Sequence, residues 1–276
     1  MTKATGPQDH NEHGARDQAN PAQGSADEVI TAALLVIGDE ILSGRTKDRN
    51  IGYVAEHLTH AGIRLSEVRV VADDEDAIVA AVNALRSTYT YVFTTGGIGP
   101  THDDITAPAI AKAFGVPIDV DERALSLMRP YYERRGLELT ASRLRMARIP
   151  EGARLIRNSI SVAPGFQIGN VTVMAGVPEI MQVMLDDALK YLRTGRKMLS
   201  QSLLVAAPEG DIADLFADHQ KEWPDVAMGS YPKFTPEGLR CELVLRSVDA
   251  QRLNEALAGL RQKLAVRGIY CEASTT

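Results

Sequence analysis

The sequence has 276 residues, 45% of them hydrophobic and 24% charged, which is enough to bury a real core in one large or two unequal domains. Its 30 Lys and Arg against 36 Asp and Glu give a net charge of −6, so a broad basic face for nucleic acid is disfavoured. No run approaches the roughly 18 apolar residues of a membrane span. The two cysteines, Cys241 and Cys271, are too few for a disulfide scaffold and fit reduced thiols in a cytoplasmic protein.

Residues 1–28 hold no Leu, Phe, Tyr or Trp, and Val29 is the first aliphatic residue beyond alanine. Such a stretch has no apolar core for a signal peptide and too little to bury, so a disordered tail is expected. From Thr31 strands and helices alternate. Ala32 to Ile37 is wholly apolar, as a strand buried on both faces requires. Ile51, Val54, Ala55 and Leu58 then fall at helical spacing up to Gly62. Arg64 to Ala72 reads as the second strand, followed by a helix with Ile78, Val82 and Leu85. Thr90 to Thr95 reads as the third, followed by a helix with Ile110, Ala113 and Phe114. Units of this length imply parallel pairing with helices on both faces.

Beyond Gly115 the spacing predicts helices over Asp121 to Arg134 and Ala141 to Ala147. Two apolar runs, Phe166 to Ile168 and Val171 to Ala175, are joined by a Gly169-Asn170 turn. A helix over Glu179 to Leu192 buries Met181 and Met184, and Gly195 closes the domain. Residues 196–276 read separately: a strand at Gln201 to Ala206, a helix at Gly210 to Lys221, and strands at Val226 to Phe234 and Leu239 to Arg246 around Pro236-Glu237-Gly238. A helix at Arg252 to Val266 and a last strand at Ile269 to Glu272 follow. The order βαββαβ is a split βαβ plan. The fold class is thus α/β: a three-layer, mostly parallel domain over 29–195, then a small α+β domain.

Parallel strands gather residues at their carboxyl ends, where open α/β sheets bind ligands. The first strand delivers Gly38, Asp39 and Glu40, then Ser43 and Gly44; the second delivers Asp73 and Asp74; the third runs into TTGGIGPTHDDIT, Thr94 to Thr106. Gly96, Gly97 and Gly99 allow close backbone approach, and the helix beyond them points free N–H groups outward, a pairing suited to phosphate. Asp103 and Asp104 would repel a phosphate unless a divalent cation, Mg²⁺ first, lay between. Helix capping is the competing role, and one of Asp103 and Asp104 is expected to cap the next helix. Asp73 and Asp74 are expected to cap theirs. Asp39 and Glu40 fit capping less well, because no strong helical pattern starts directly after them. His57 and His60 fit an exposed polar face better than a metal pair, His102 is within reach of a phosphate, and Trp223 is expected in a core.

GDEILSG (Gly38 to Gly44), GGIGPTHDDIT (Gly96 to Thr106), APGF (Ala163 to Phe166) and AGVPEIM (Ala175 to Met181) stand in order along about 165 residues. Together they resemble the molybdopterin-binding domain shared by MoaB, Mog and gephyrin-type proteins. They are most similar to the N-terminal domain of competence/damage-inducible protein A (CinA) and the related domain of FAD synthases. The segment Lys197 to Glu272 resembles the small module that follows it in CinA. The amidohydrolase domain of longer CinA proteins is not matched, so nicotinamide-nucleotide deamidation is not expected. Nor does a GxxG loop stand where RNA would be clamped.

The resemblance implies a site for an anionic nucleotide or pterin at Gly38, Ser43, Gly44, Gly96, Gly97, Gly99, Thr101, Thr106, Pro164, Gly165, Gly176, Pro178 and Glu179. It places the two aspartates of Mog-type chemistry on Asp73 and Asp104. In the CinA branch it implies metal-dependent (Mg²⁺, Mn²⁺ or Co²⁺) hydrolysis of ADP-ribose, FAD or a similar dinucleotide. Asp103 and Asp104 would then be metal ligands, with Asp39 or Glu40 as further ligand or general base. Molybdopterin binding or adenylylation is the alternative, and a non-catalytic nucleotide sensor the third. Homo-oligomers, dimeric or trimeric, are expected by resemblance. Ile98 replaces the threonine of Mog-type proteins, which favours the CinA side, and Ser161 stands where glycine is expected.

Overall fold

A computed structural model of the chain describes residues 29–235 and 238–274. The tail expected over 1–28 and the first two residues of the 236–238 turn lie outside them. The chain order is β1 (Thr31–Ile37), α1 (Asp39–Leu42), α2 (Asn50–His60), β2 (Arg64–Val71), α3 (Glu75–Thr88), β3 (Tyr91–Thr95) and α4 (Thr106–Phe114). Next come β4 (Ile118–Val120), α5 (Glu122–Arg134), α6 (Ala141–Leu144), a 3₁₀ turn (Arg145–Ala147), β5 (Arg148–Pro150), β6 (Arg154–Ile156), β7 (Gly165–Ile168), β8 (Val171–Met174) and α7 (Pro178–Leu189).

The main sheet has the order β2-β1-β3-β8-β7-β6. The first four strands are parallel, while β7 runs antiparallel to both β8 and β6. β1 is central, and all its residues from Ala32 to Ile37 are buried because helices cover both faces. One layer sets Val54 and Leu58 of α2 and Met181 and Met184 of α7 against Leu34, Val36 and Phe93. The opposite layer packs Ile78, Val82 and Leu85 of α3, Ile110 of α4 and Met128 of α5 against Leu35, Val92 and Phe166. Burial of each large side chain in these layers is worth roughly 1.5–3 kcal/mol before the ordering entropy is set against it.

The second domain contains β9 (Leu199–Val205), α8 (Glu209–Glu222), β10 (Ala227–Thr235), β11 (Gly238–Ser247), α9 (Ala250–Val266) and β12 (Cys271–Ala273). Its antiparallel sheet has the order β10-β11-β9-β12, the split βαβ arrangement. Its core joins Leu203, Leu243 and Leu245 to Leu215, Leu253 and Leu260, with Trp223 packed at its side. Cys241 and Cys271 are both free thiols. Among the described residues no helix is long and apolar enough to cross a membrane.

Several expectations are corrected. A one-turn helix, α1, does start at Asp39; four residues are too few to show a period. The helix expected over Ala141 to Ala147 is α6 plus a 3₁₀ turn, and the one expected to reach Leu192 ends at Leu189. The residue capping α4 is Ile105, with no side-chain cap, so neither Asp103 nor Asp104 takes that role. Of the second pair, Asp74 alone caps α3, accepting from the Ala77 N–H at 2.8 Å.

Candidate functional site

The strand order reverses between β1 and β3, since β2 lies outside β1 and β8 beyond β3. A crevice at such a switch point is where ligands enter open α/β sheets. Gly38-Asp39-Glu40 and the loop 96–105 flank it from the carboxyl ends of these two strands.

On the β1–β2 side the acids converge. Asp73 accepts a hydrogen bond from the backbone N–H of Asp39 at 3.0 Å. Partial burial pushes the Asp73 carboxyl above the usual carboxylate range against that bond, and the charges of Asp39, Glu40 and Asp103 push it the same way. Asp103 is displaced oppositely: the Thr101 hydroxyl first, then its own backbone N–H and, farther off, His102 and Arg145, hold it low. Asp104 faces inward and accepts from both the backbone N–H (2.7 Å) and the hydroxyl of Thr101, closing the loop on itself.

The glycines of the loop have packing reasons for being there. Gly96, at φ +103, would set a Cβ 2.1 Å from the Ile37 carbonyl oxygen of β1. Gly97, at φ +67, would drive one into the Thr106 hydroxyl, which donates to the Gly96 carbonyl at 2.9 Å. A Cβ on Gly99 would meet the Asp104 carboxylate at 2.6 Å. Gly176 lies against Gly96 and its carbonyl accepts from the Asn50 amide at 2.8 Å, so the loop after β8 is tied to the start of α2.

The second face of the loop borders a shallow cleft that opens to solvent. Ile98, Met146, Ile149, Pro164 and Phe166 give it an apolar floor; Asp104, Arg145 and Arg148 are its charged groups. Of the residues expected at the site, Gly99, Asp104 and Pro164 line this cleft, whereas Asp39, Glu40 and Asp73 form the acid group on the other side of Asp103. Ser43 and Gly44 sit on the exposed end of α1, and Pro178 and Glu179 in the first turn of α7; neither pair lines the cleft. Gly165 begins β7, where a Cβ would meet the Val173 carbonyl oxygen at 2.4 Å. Left-handed backbone falls on Val162 at φ +63 rather than on Ser161, whose hydroxyl is held by the Asn158 amide at 2.6 Å.

The histidines are otherwise engaged. His57 and His60 each bond a carbonyl one turn back, of Tyr53 and Glu56, and His102 is almost wholly exposed. Arg145 and Arg148 were not foreseen. In SRLRMARIP nothing singles them out, Arg145 falling inside the helix expected over Ala141 to Ala147 and Arg148 just beyond it; the break into a 3₁₀ turn and β5 brings both to the cleft.

An open, mostly parallel α/β sheet with an acid group and a glycine loop at its switch point defines a small-molecule-binding domain. Residues 33–194 match the family described as "probable molybdopterin binding domain", and residues 197–272 match "FAD synthase, middle domain". The chain therefore belongs to the MoaB/Mog-like molybdopterin-binding-domain family, and its relatives include CinA-like proteins and FAD synthases. It is 36% identical over 247 residues to a CinA-like protein of Citrifermentans bemidjiense, covering 86% of this chain and 58% of that one. With a "probable FAD synthase" of Caenorhabditis elegans it shares 29% over 267 residues, 88% of this chain and 51% of the other. A protein of Caldivirga maquilingensis is 34% identical over 254 residues and is covered to 98% of its length. Among solved structures, CinA from Thermoplasma acidophilum, described as of unknown function, aligns with a TM-score of 0.53 at 35% identity, covering 58% of this chain and 95% of that one.

Proposed function

We propose that the first domain is a metal-dependent pyrophosphatase that cleaves ADP-ribose, FAD or a similar dinucleotide. The observation that carries this reading is the gathering of Asp39, Glu40, Asp73 and Asp103 at the switch point, where burial first and then the charges of the other three raise Asp73. The donor set is all hard oxygen, and a Mg²⁺-like cation would relieve the repulsion. Among the described residues no three His, Cys, Asp or Glu side chains already form a metal cage. Phosphate oxygens of the substrate would therefore complete the coordination that Asp103 and Asp104 begin, as is usual for Mg²⁺.

When bound, the cation would supply charge neutralisation at the scissile diphosphate. The chain's own groups divide the remaining work. Asp73, with its raised pKa, accepts the proton of the attacking water as that oxygen joins one phosphorus. The P–O bond to the other phosphate breaks, leaving two phosphate monoesters. Asp39 fixes Asp73 through its backbone N–H, and Asp104 holds the loop through Thr101.

The test is AMP release from ADP-ribose, FAD and NAD with Mg²⁺, Mn²⁺, Co²⁺ or chelator, run beside Asp104→Asn and Asp73→Asn. Metal-dependent release that both variants lose is the expected result. Release that survives in both places the reaction elsewhere. No release from any pair removes the hydrolase reading and puts molybdopterin binding, favoured by the family match over residues 33–194, in its place.

A further inference from the structure

Arg145 and Arg148 stand in the cleft almost without partners. The Arg145 Nη2 lies 3.4 Å from the His102 carbonyl, a long contact, and its Nε is buried with no acceptor. Arg148 is half-buried, and among the described residues its side chain makes no hydrogen bond or ion pair. Other half-buried arginines of this domain are engaged: Arg69 by Glu67, Arg86 by Asn83 and the Ala113 carbonyl, Arg154 by Gln167. Asp104 lines the same cleft and keeps its charge, but its Oδ2 is held by Thr101 and it forms no ion pair with either arginine among the described residues. Two half-buried guanidiniums that make no ion pair among the described residues keep N–H donors open to an incoming anion.

The surroundings narrow the anion. Phe166 and Ile149 are almost fully buried beneath the cleft, and the half-buried Ile98 and Met146 are the apolar side chains it presents to a ligand. The guanidinium pair stands at its rim, across Asp104 from the acid group.

We propose that Arg145 and Arg148 are the anion-recognition pair of this protein, taking the phosphate of a phosphorylated planar heterocycle whose ring lies against Ile98 and Met146. The pair holds one end of the substrate while the acids on the far side of Asp103 act on the diphosphate. The proposal deepens the pyrophosphatase reading and rests on it only for the identity of the ligand. Its test needs no turnover.

The probe is AMP, with adenosine as the phosphate-free comparison, titrated calorimetrically into the full chain in chelator at low salt. AMP has no diphosphate to cleave, so its binding is independent of the hydrolase reading. Wild type is expected to bind AMP at least about tenfold more tightly than adenosine, and Arg148→Ala to lose about tenfold in AMP affinity, the scale of one charge-assisted bond. Arg145→Lys keeps part of the affinity that Arg145→Ala loses, and added salt weakens binding in wild type more than in either alanine variant. Arg64→Ala, on the exposed face of β2, binds as wild type does. Equal affinity for AMP and adenosine overturns the proposal, as does unchanged AMP binding in both alanine variants, or no AMP binding by wild type. AMP binding that depends on the arginines without any hydrolysis of ADP-ribose or FAD leaves this proposal standing and removes only the pyrophosphatase.

Discussion

The Asp73 carboxylate accepts the backbone N–H of Asp39 at 3.0 Å, so the loop after β2 is clamped to the residue that opens α1. That bond joins the carboxyl ends of two adjacent parallel strands and sets one acid directly beside another. The bond favours the ionised form of Asp73, yet burial and the charges of Asp39, Glu40 and Asp103 outweigh it.

Asp73→Asn therefore stabilises the protein at neutral pH. The amide oxygen keeps the bond from Asp39 while the repulsion disappears. A folded-state pKa raised above the unfolded value means that the stabilising protonated form is fully present below about pH 3.9 and is lost as pH rises through the folded pKa. The gain in Tm is expected at ~1–2 °C at pH 7.5, since relief of partly exposed charge is worth only tenths of a kcal/mol. It vanishes towards pH 4. A thermal melt at both pH values checks this, and the same variant is expected to lose hydrolysis. A lower Tm at pH 7.5 would show that the acid is not under strain.

Gly96→Ala is expected to be severe. The new Cβ would have to share space with the Ile37 carbonyl oxygen at 2.1 Å in a backbone at φ +103. Neither the central strand β1 nor its neighbour can yield, so the cost exceeds ~3 kcal/mol. Urea unfolding followed by circular dichroism measures it. Gly44→Ala, also at positive φ but with open space around it, is the comparison and is expected to cost about 1 kcal/mol.

Thr106 is the pin of the same loop. It is fully buried, and its hydroxyl donates to the Gly96 carbonyl while its N–H donates to Gly97. Thr106→Val keeps the shape and orphans that carbonyl, at about 1–2 kcal/mol, while Thr106→Ser restores the donor. The expected signature is a Tm lowered by ~2–6 °C in the valine variant and mostly recovered in the serine variant.

What the sequence made legible was what has a period or a turn signature. The apolar run of β1, the Gly169-Asn170 hairpin, the Asp74 cap and the βαββαβ order of the second domain all rest on local chemistry. Short or non-local features were not legible. α1 is one turn long, and β4 and β5 are three-residue strands that pair across 27 intervening residues. Asp103 and Asp104 had the composition of a cap, but the loop places Ile105 there and turns Asp104 onto Thr101 instead. The arginines of the cleft carry no distinguishing pattern, because their position depends on where a helix gives way to a 3₁₀ turn.

The second domain contains its own pH response. His219 is fully buried between α8 and α9, with Nε2 2.8 Å from the Ala256 carbonyl and Nδ1 without a hydrogen bond, 3.8 Å from Glu222 Oε2. Burial holds its pKa below the usual value; the Ala256 carbonyl opposes this, Lys263 adds to it and Glu222 opposes it more weakly. The unfolded chain takes up a proton near pH 6.5, whereas the folded domain does not until lower pH. Stability is therefore fully present above pH 6.5 and falls as the medium is acidified towards the folded pKa, by at most ~1.4 kcal/mol per pH unit. Trp223, the chain's single tryptophan, lies 6.2 Å from the His219 ring, so its fluorescence reports the unfolding of this domain. Urea titrations followed at Trp223 are expected to show a midpoint that drops between pH 7 and pH 5. His219→Gln, which cannot gain a proton, is expected to flatten that slope while lowering the midpoint at pH 7; an unchanged slope would mean that another group governs the acid response.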